Sequence, residues 1–175
     1  MAFMPEPNIL PGIPNPEAIL QEAVTGEVVK ILERSKANQS LAEYFVLSGF
    51  GLDLAVFMQQ NGHFTVRFLE FKAFVGSRQD GVGFGDRYGK GSQVDLLLLG
   101  NTRLRLADQH IRWILVDGTK PFGTKRFAIF SNSCAKGEAM GGVSREKQNN
   151  LRIKSLMTTA ITWDDLSTEV ESFVL

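Results

Sequence analysis

Asn61-Gly62, set between two apolar runs, is the strongest local constraint in this chain of 175 residues. A type I′ two-residue hairpin turn needs positive φ at both central positions, and Asn-Gly supplies it at least strain. The flanking runs, Leu52 to Met58 and Phe64 to Val75, are rich in Phe, Val and Leu and read as strands. With Asn61 and Gly62 in the turn, Gln60 faces His63. Counted outward, that register sets Asp53 opposite Glu70, with Cβ atoms about 5 Å apart. Side chains two apart share a face of a strand, so Lys72 joins Glu70. The rest of the hairpin is apolar on both faces. Leu52, Leu54, Val56, Leu69 and Phe71 fall on one, and Ala55, Phe57, Val66 and Phe68 on the other. Such a hairpin is expected to be largely buried, which places an Asp, a Glu and a Lys where charge is costly.

Two readings account for that cluster. One is a buried ion pair of Lys72 with Glu70 or Asp53 that only fixes register. The other is a site for a hard divalent cation, because Mg²⁺ takes one or two carboxylates and completes its shell with waters and phosphate oxygens. A neighbouring lysine can then orient or activate a water and offset an anionic transition state. Such chemistry needs neither His nor Cys, and the chain has two histidines and one cysteine. That count excludes a disulfide framework and a Cys-rich zinc module.

Elsewhere the chain alternates helix and strand signals. Pro5, Pro7, Pro11 and Pro14 predict an extended arm over residues 1–14. Asn15 and Pro16 then suit the cap and first position of a helix that runs to about Lys36. Leu20, Val24 and Ile31 form its inward stripe. Glu27 lies seven residues after Leu20, only ~20° off that stripe. Residues 43–50 read as a strand or its approach. Residues 76–92 read as a Gly-rich loop in which Arg78, Arg87 and Lys90 are candidate phosphate contacts. Ser92 to Leu99 is either a helix stopped by Gly100 or a buried strand. Ile111 to Val116 and Phe127 to Phe130 are strands, 131–143 a small-residue loop, and 144–159 a helix. Thr162, with Asp165 three residues on, opens a last helix.

The pattern Leu52-Asp53 followed by Leu69-Glu70-Phe71-Lys72 resembles the PD-(D/E)XK nuclease superfamily, with Leu52 where the eponymous proline would stand. The element order over about residues 16–118 is similar too. The resemblance implies an α/β domain over 15–175 with a restriction-endonuclease-like core. That core is a central mixed sheet flanked by helices, in α-β-β-β-α-β order, followed by C-terminal helices. It implies metal-dependent hydrolysis of phosphodiester bonds, with DNA as the expected substrate. Asp53 and Glu70 would hold Mg²⁺ or Mn²⁺, with the Phe71 carbonyl as a further ligand and Lys72 as the water-activating residue. Many members carry another acid on the first helix, for which Glu27 is the match. Some use a Gln on the helix after the Glu-x-Lys strand, for which Gln93 is the match. A homodimer, one site per strand, is the expected assembly. A catalytically silent relative that binds DNA or a protein is the alternative.

Other signals carry less. Gly81 to Gly91 fails the phosphate-loop pattern, because Phe84 and Gly91 stand where Gly and Ser or Thr are required. Cys134 lacks an obvious His partner and reads as a non-catalytic thiol. Trp113 and Trp163 read as packing residues. Nineteen basic and nineteen acidic residues cancel, so composition supplies no nucleic-acid or membrane footprint. The absence of a leader pattern and of a long apolar run leads to the expectation of a cytoplasmic protein without a membrane span.

Overall fold

The computed structural model describes residues 15–48, 53–75, 82–83, 108–140 and 150–175. The arm expected over 1–14, the Ser92 to Leu99 segment, and Arg78, Arg87, Lys90 and Gln93 lie outside the described residues. Helix α1 spans Pro16–Ala37, with the Asn15 side chain accepting from the Glu17 N–H at 3.0 Å. Strands β1 (Glu43–Ser48), β2 (Leu54–Gln60) and β3 (His63–Phe74) follow. The turn between β2 and β3 has φ of 50° at Asn61 and 78° at Gly62, as the Asn-Gly signal requires. Gln60 pairs with His63, and the ladder runs back to Leu54 opposite Leu69.

After β4 (Val82–Gly83) the chain continues through β5 (Ile111–Asp117) and β6 (Phe127–Ser131). Among the described residues, five strands form one mixed sheet in the order β1-β2-β3-β5-β6. The β3–β5 pair is parallel and its neighbours are antiparallel. The protein is therefore α/β, with helices on both faces of the sheet. Leu20, Val24, Val28 and Ile31 of α1 pack on Leu54, Leu69, Phe71 and Ile114. Helix α4 (Trp163–Val174) adds Leu166, Val170 and Phe173 to the same core. Its Thr162–Asp165 capping box forms as the spacing predicts. On the other face, Ile111, Trp113 and Leu115 pack under Ala135, Leu151, Ile153 and Leu156. Burial from both sides explains why β5 reads as a nearly unbroken apolar run. Trp113 is fully buried and Trp163 packs at the edge of the first core.

Three expectations change. Residues 131–143 are not a loop throughout, since Asn132–Gly137 form α2 and Ala139–Met140 form β7. The Ser131 side chain caps α2 by accepting from the Cys134 N–H, and Ala135 is buried beneath it. Of the helix expected over 144–159, residues 144–149 lie outside the described residues, and the described part is not one helix. Asn150–Leu151 form β8, paired with both β4 and β7, and among the described residues of that range Ile153–Leu156 (α3) and a 3₁₀ turn at Met157–Thr159 are the helical parts. Leu151 enters the second core from that small sheet. Finally, burial of the hairpin does not extend to its turn, although Met58 still reaches the first core. Phe64 near the turn is 68% exposed, because α1 and α4 cover the opposite end of one face.

Gly118 sets how closely α1 starts against the sheet. Its N–H donates to the Phe74 carbonyl at 2.8 Å. A Cβ at this position would stand 2.7 Å from Val75 Cγ1, 2.9 Å from Pro16 Cγ and 3.0 Å from the Phe74 oxygen. The last is backbone and cannot yield without breaking the β3–β5 register. Gly118→Ala is therefore expected to destabilise the fold by about 1–3 kcal/mol, read as a lowered denaturant midpoint. An unchanged midpoint would show that α1 is free to move away.

Candidate active site

Strand β3 outruns its antiparallel partner. The N–H of Phe68 and the carbonyl of Phe74 bond toward β5, so Leu69, Phe71 and Ala73 direct their backbone groups toward β2. That strand begins at Leu54, opposite Leu69. Beyond it, two carboxylates take the strand's place. Asp53 Oδ2 accepts from the Phe71 N–H at 2.7 Å, and Glu17 Oε2 accepts from the Ala73 N–H at 3.2 Å. The N–H and C=O of one strand residue project the same way. The Phe71 carbonyl therefore points to that edge, between the N–H groups that the two acids accept from. Gln21, one turn after Glu17, donates to the Asp53 carbonyl at 2.8 Å and fixes the start of β2.

Glu70 and Lys72 project from the face of β3 that carries Phe68 and Phe74. Lys72 Nζ lies 2.8 Å from Glu70 Oε1 and 6.0 Å from the centre of the Trp113 ring. Both side chains are enclosed, Glu70 at 0% and Lys72 at 4% exposure. The Asp53 backbone also lies near Glu70 and helps hold its carboxyl down. Asp53, Glu70, Phe71 and Lys72 thus lie close together, but Asp53 stands just outside the ladder and reaches the Phe71 N–H, where the spacing set it in the ladder opposite Glu70.

Glu27 is not at this cluster. Its carboxylate accepts from Ser167 Oγ at 2.8 Å and pairs with Lys30 at 3.4 Å, which ties α1 to α4. Ten residues of helix, about 15 Å of axis, separate it from Glu17. The acid that α1 supplies is Glu17. Sequence reasoning passed it over, although it precedes Leu20 by three residues and Gln21 by four, and so shares their face. Cys134 has no role here, and partial burial, with Glu138 and Asp108 adding, pushes its thiol up.

The electrostatics follow from three carboxylates sharing one ammonium. Burial pushes the Glu70 carboxyl up to about 7, and Asp53 adds to this against the pull of Lys72. Burial also raises Glu17, with Asp53 again adding and Lys72 opposing. Burial works against the Lys72 ammonium, but Glu70, Glu17 and Asp53 outweigh it, and its pKa rises. Fully ionised, the set carries two negative charges in excess.

Among the described residues, no three His, Cys, Asp or Glu side chains are arranged to hold an ion by themselves. The oxygen set at the β3 edge nevertheless suits Mg²⁺, which needs only one or two carboxylates beside waters and phosphate oxygens. No helix among the described residues is long and apolar enough to cross a membrane. No protein-family model matches the chain, and no curated protein matches it significantly.

A carboxyl whose pKa rises on folding binds its proton more tightly in the native state. Stability is then full below the unfolded pKa and falls as pH climbs through the native one. For Glu70 that window runs from the ordinary value of 4.5 to about 7. The loss across it is about 3 kcal/mol. Glu70→Gln is expected to flatten the fall in denaturation free energy over this range. A slope equal to wild type would show that Glu70 titrates normally.

Proposed function

We propose that this protein is a metal-dependent nuclease of the restriction-endonuclease-like fold that hydrolyses phosphodiester bonds of DNA. The observation that carries the reading is the surplus of carboxylate over ammonium at the β3 edge, where Glu17, Asp53 and Glu70 surround Lys72. Asp53 and Glu70 would hold Mg²⁺ or Mn²⁺, with the Phe71 carbonyl between Asp53 and Glu17 as a further oxygen ligand. Glu17 takes the place on α1 that the resemblance assigned to Glu27. When bound, the cation polarises the phosphoryl group as a Lewis acid.

The chain's own groups supply the rest. Lys72 is kept protonated by the surrounding carboxylates. An ammonium is a poor base, so Lys72 orients the attacking water and offsets charge on the phosphoryl oxygens. Gln21 holds the Asp53 backbone in register with Phe71. Two copies of the chain, one site for each strand of the duplex, complete the reading.

A second reading is a silent relative that binds DNA or a protein. The closure of Glu70 on Lys72, and of Asp53 on the Phe71 N–H, favours it, because both carboxylates already have protein partners. Mn²⁺ calorimetry separates the two. Wild type is expected to bind Mn²⁺, and Asp53→Asn and Glu70→Gln to lose that binding. Asn keeps an oxygen for the Phe71 N–H, so loss of the ion with retained melting behaviour reports a ligand and not a fold. Lys72→Ala should cut DNA cleavage by about 10²–10³-fold. Equal Mn²⁺ affinity in all three proteins would leave the silent reading standing.

A further inference from the structure

A second cluster lies on the same face of the sheet as Glu70 and Lys72. Phe74 and Asp117 are paired at the ends of the parallel strands β3 and β5. Both stand two residues beyond Lys72 and its partner Leu115, one same-face step of about 7 Å. They form part of a cavity of about 270 Å³ that also carries Lys120, Lys125, Lys154 and Met157. Lys120 and Lys125 come from the turn between β5 and β6, and Lys154 from α3.

Charge here is opposite to that at the β3 edge. Asp117 is the acid among the lining residues, and it is engaged internally. It accepts from the Thr119 N–H at 2.9 Å and lies 3.6 Å from Lys120 Nζ. Asp165 lies near Lys125, but its carboxylate caps α4 through Thr162. Among the described residues, counting both acids, the lysines still outnumber them. A chain of zero formal net charge has thus gathered a cationic cavity one strand step from a buried carboxylate cluster. Phe74 and Met157 give it an apolar wall, against which a sugar or base can lie.

We propose that this cavity grips the phosphate backbone of the polynucleotide strand immediately next to the bond being cut, with Lys120, Lys125 and Lys154 as the phosphate contacts. The assignment of its position rests on the nuclease reading of the Lys72 site. The cationic grip itself rests on the cavity alone. Contacts of this kind position a strand without reading its sequence.

The test uses the full chain and a labelled DNA duplex in EDTA, with binding followed by fluorescence anisotropy over a salt series. The variant K120Q/K125Q/K154Q neutralises three exposed lysines, and K30Q/K36Q on the exposed side of α1 is the control. Each phosphate contact contributes a slope of about −0.9 in log affinity against log salt. The triple variant is expected to bind at least about tenfold more weakly and to lose about two to three units of that slope. The control should match wild type. Equal binding by the triple variant, an equal loss in the control, or no duplex binding by wild type would overturn the proposal. So would lysine-dependent binding of inorganic pyrophosphate without binding of the duplex, since the cavity would then serve a free anion. Each lysine is also changed singly, so that an unfolded triple variant does not decide the matter. Mn²⁺ calorimetry on the same proteins keeps the two readings apart. Lysine-dependent DNA binding in a protein that takes no metal retains the grip and rejects the catalytic centre.

Discussion

The arrangement depends on the mismatch in length between β2 and β3. An antiparallel strand that outruns its partner leaves backbone N–H groups without acceptors, and burying them unpaired is costly. Here the two N–H groups beyond Leu69 are satisfied by side chains from different elements, Asp53 at the head of β2 and Glu17 in the first turn of α1. Hydrogen bonds that complete the sheet therefore also fix two carboxylates at successive positions along one edge. Much of the surrounding packing holds them there. Gly118 lets Pro16 approach the sheet, Gln21 ties α1 to Asp53, and the Glu27–Ser167 bond braces the far end of the helix.

The same cluster is an electrostatic burden. A buried ion pair seldom stabilises a fold more than a well-packed apolar pair of the same size would. Burial, which pushes the Glu70 carboxyl up against the pull of Lys72, is the form that cost takes here. The fold tolerates it because two apolar cores, one on each face of the sheet, carry the stability. A chain that keeps costly charge beside such cores is trading stability for something else, as active sites generally do. That argument favours chemistry over a register-fixing role, since register is already specified by the Asn61-Gly62 turn and the apolar faces of the hairpin.

Local signals carried most of what could be read from the residues. The turn, the strand register and the shared face of Glu70 and Lys72 follow from a two-residue period and a turn that admits one conformation. The starts of α1 and α4 follow from caps that act within four residues. What was hidden depends on tertiary placement. Helical periodicity gives an angle about the axis and says nothing of position along it, so it singles out Glu27 on the inward stripe and does not reveal that Glu17, nearer the sheet edge, is the acid that meets β3. Leu151 reads as helix by its neighbours but is drawn into a strand by pairing with β4 and β7. The lysine cavity joins a turn to a short helix about thirty residues away, and no local pattern announces that.

The two charged clusters make sense as a pair. A phosphodiester strand brought toward Glu17, Asp53 and Glu70 meets excess negative charge, so the carboxylates alone would repel the substrate proposed for them. A cation at those carboxylates removes the repulsion, and the three lysines one strand step away supply attraction whether or not the cation is present. On this reading metal and nucleic acid bind with positive coupling, and linkage requires that each raise the affinity of the other equally.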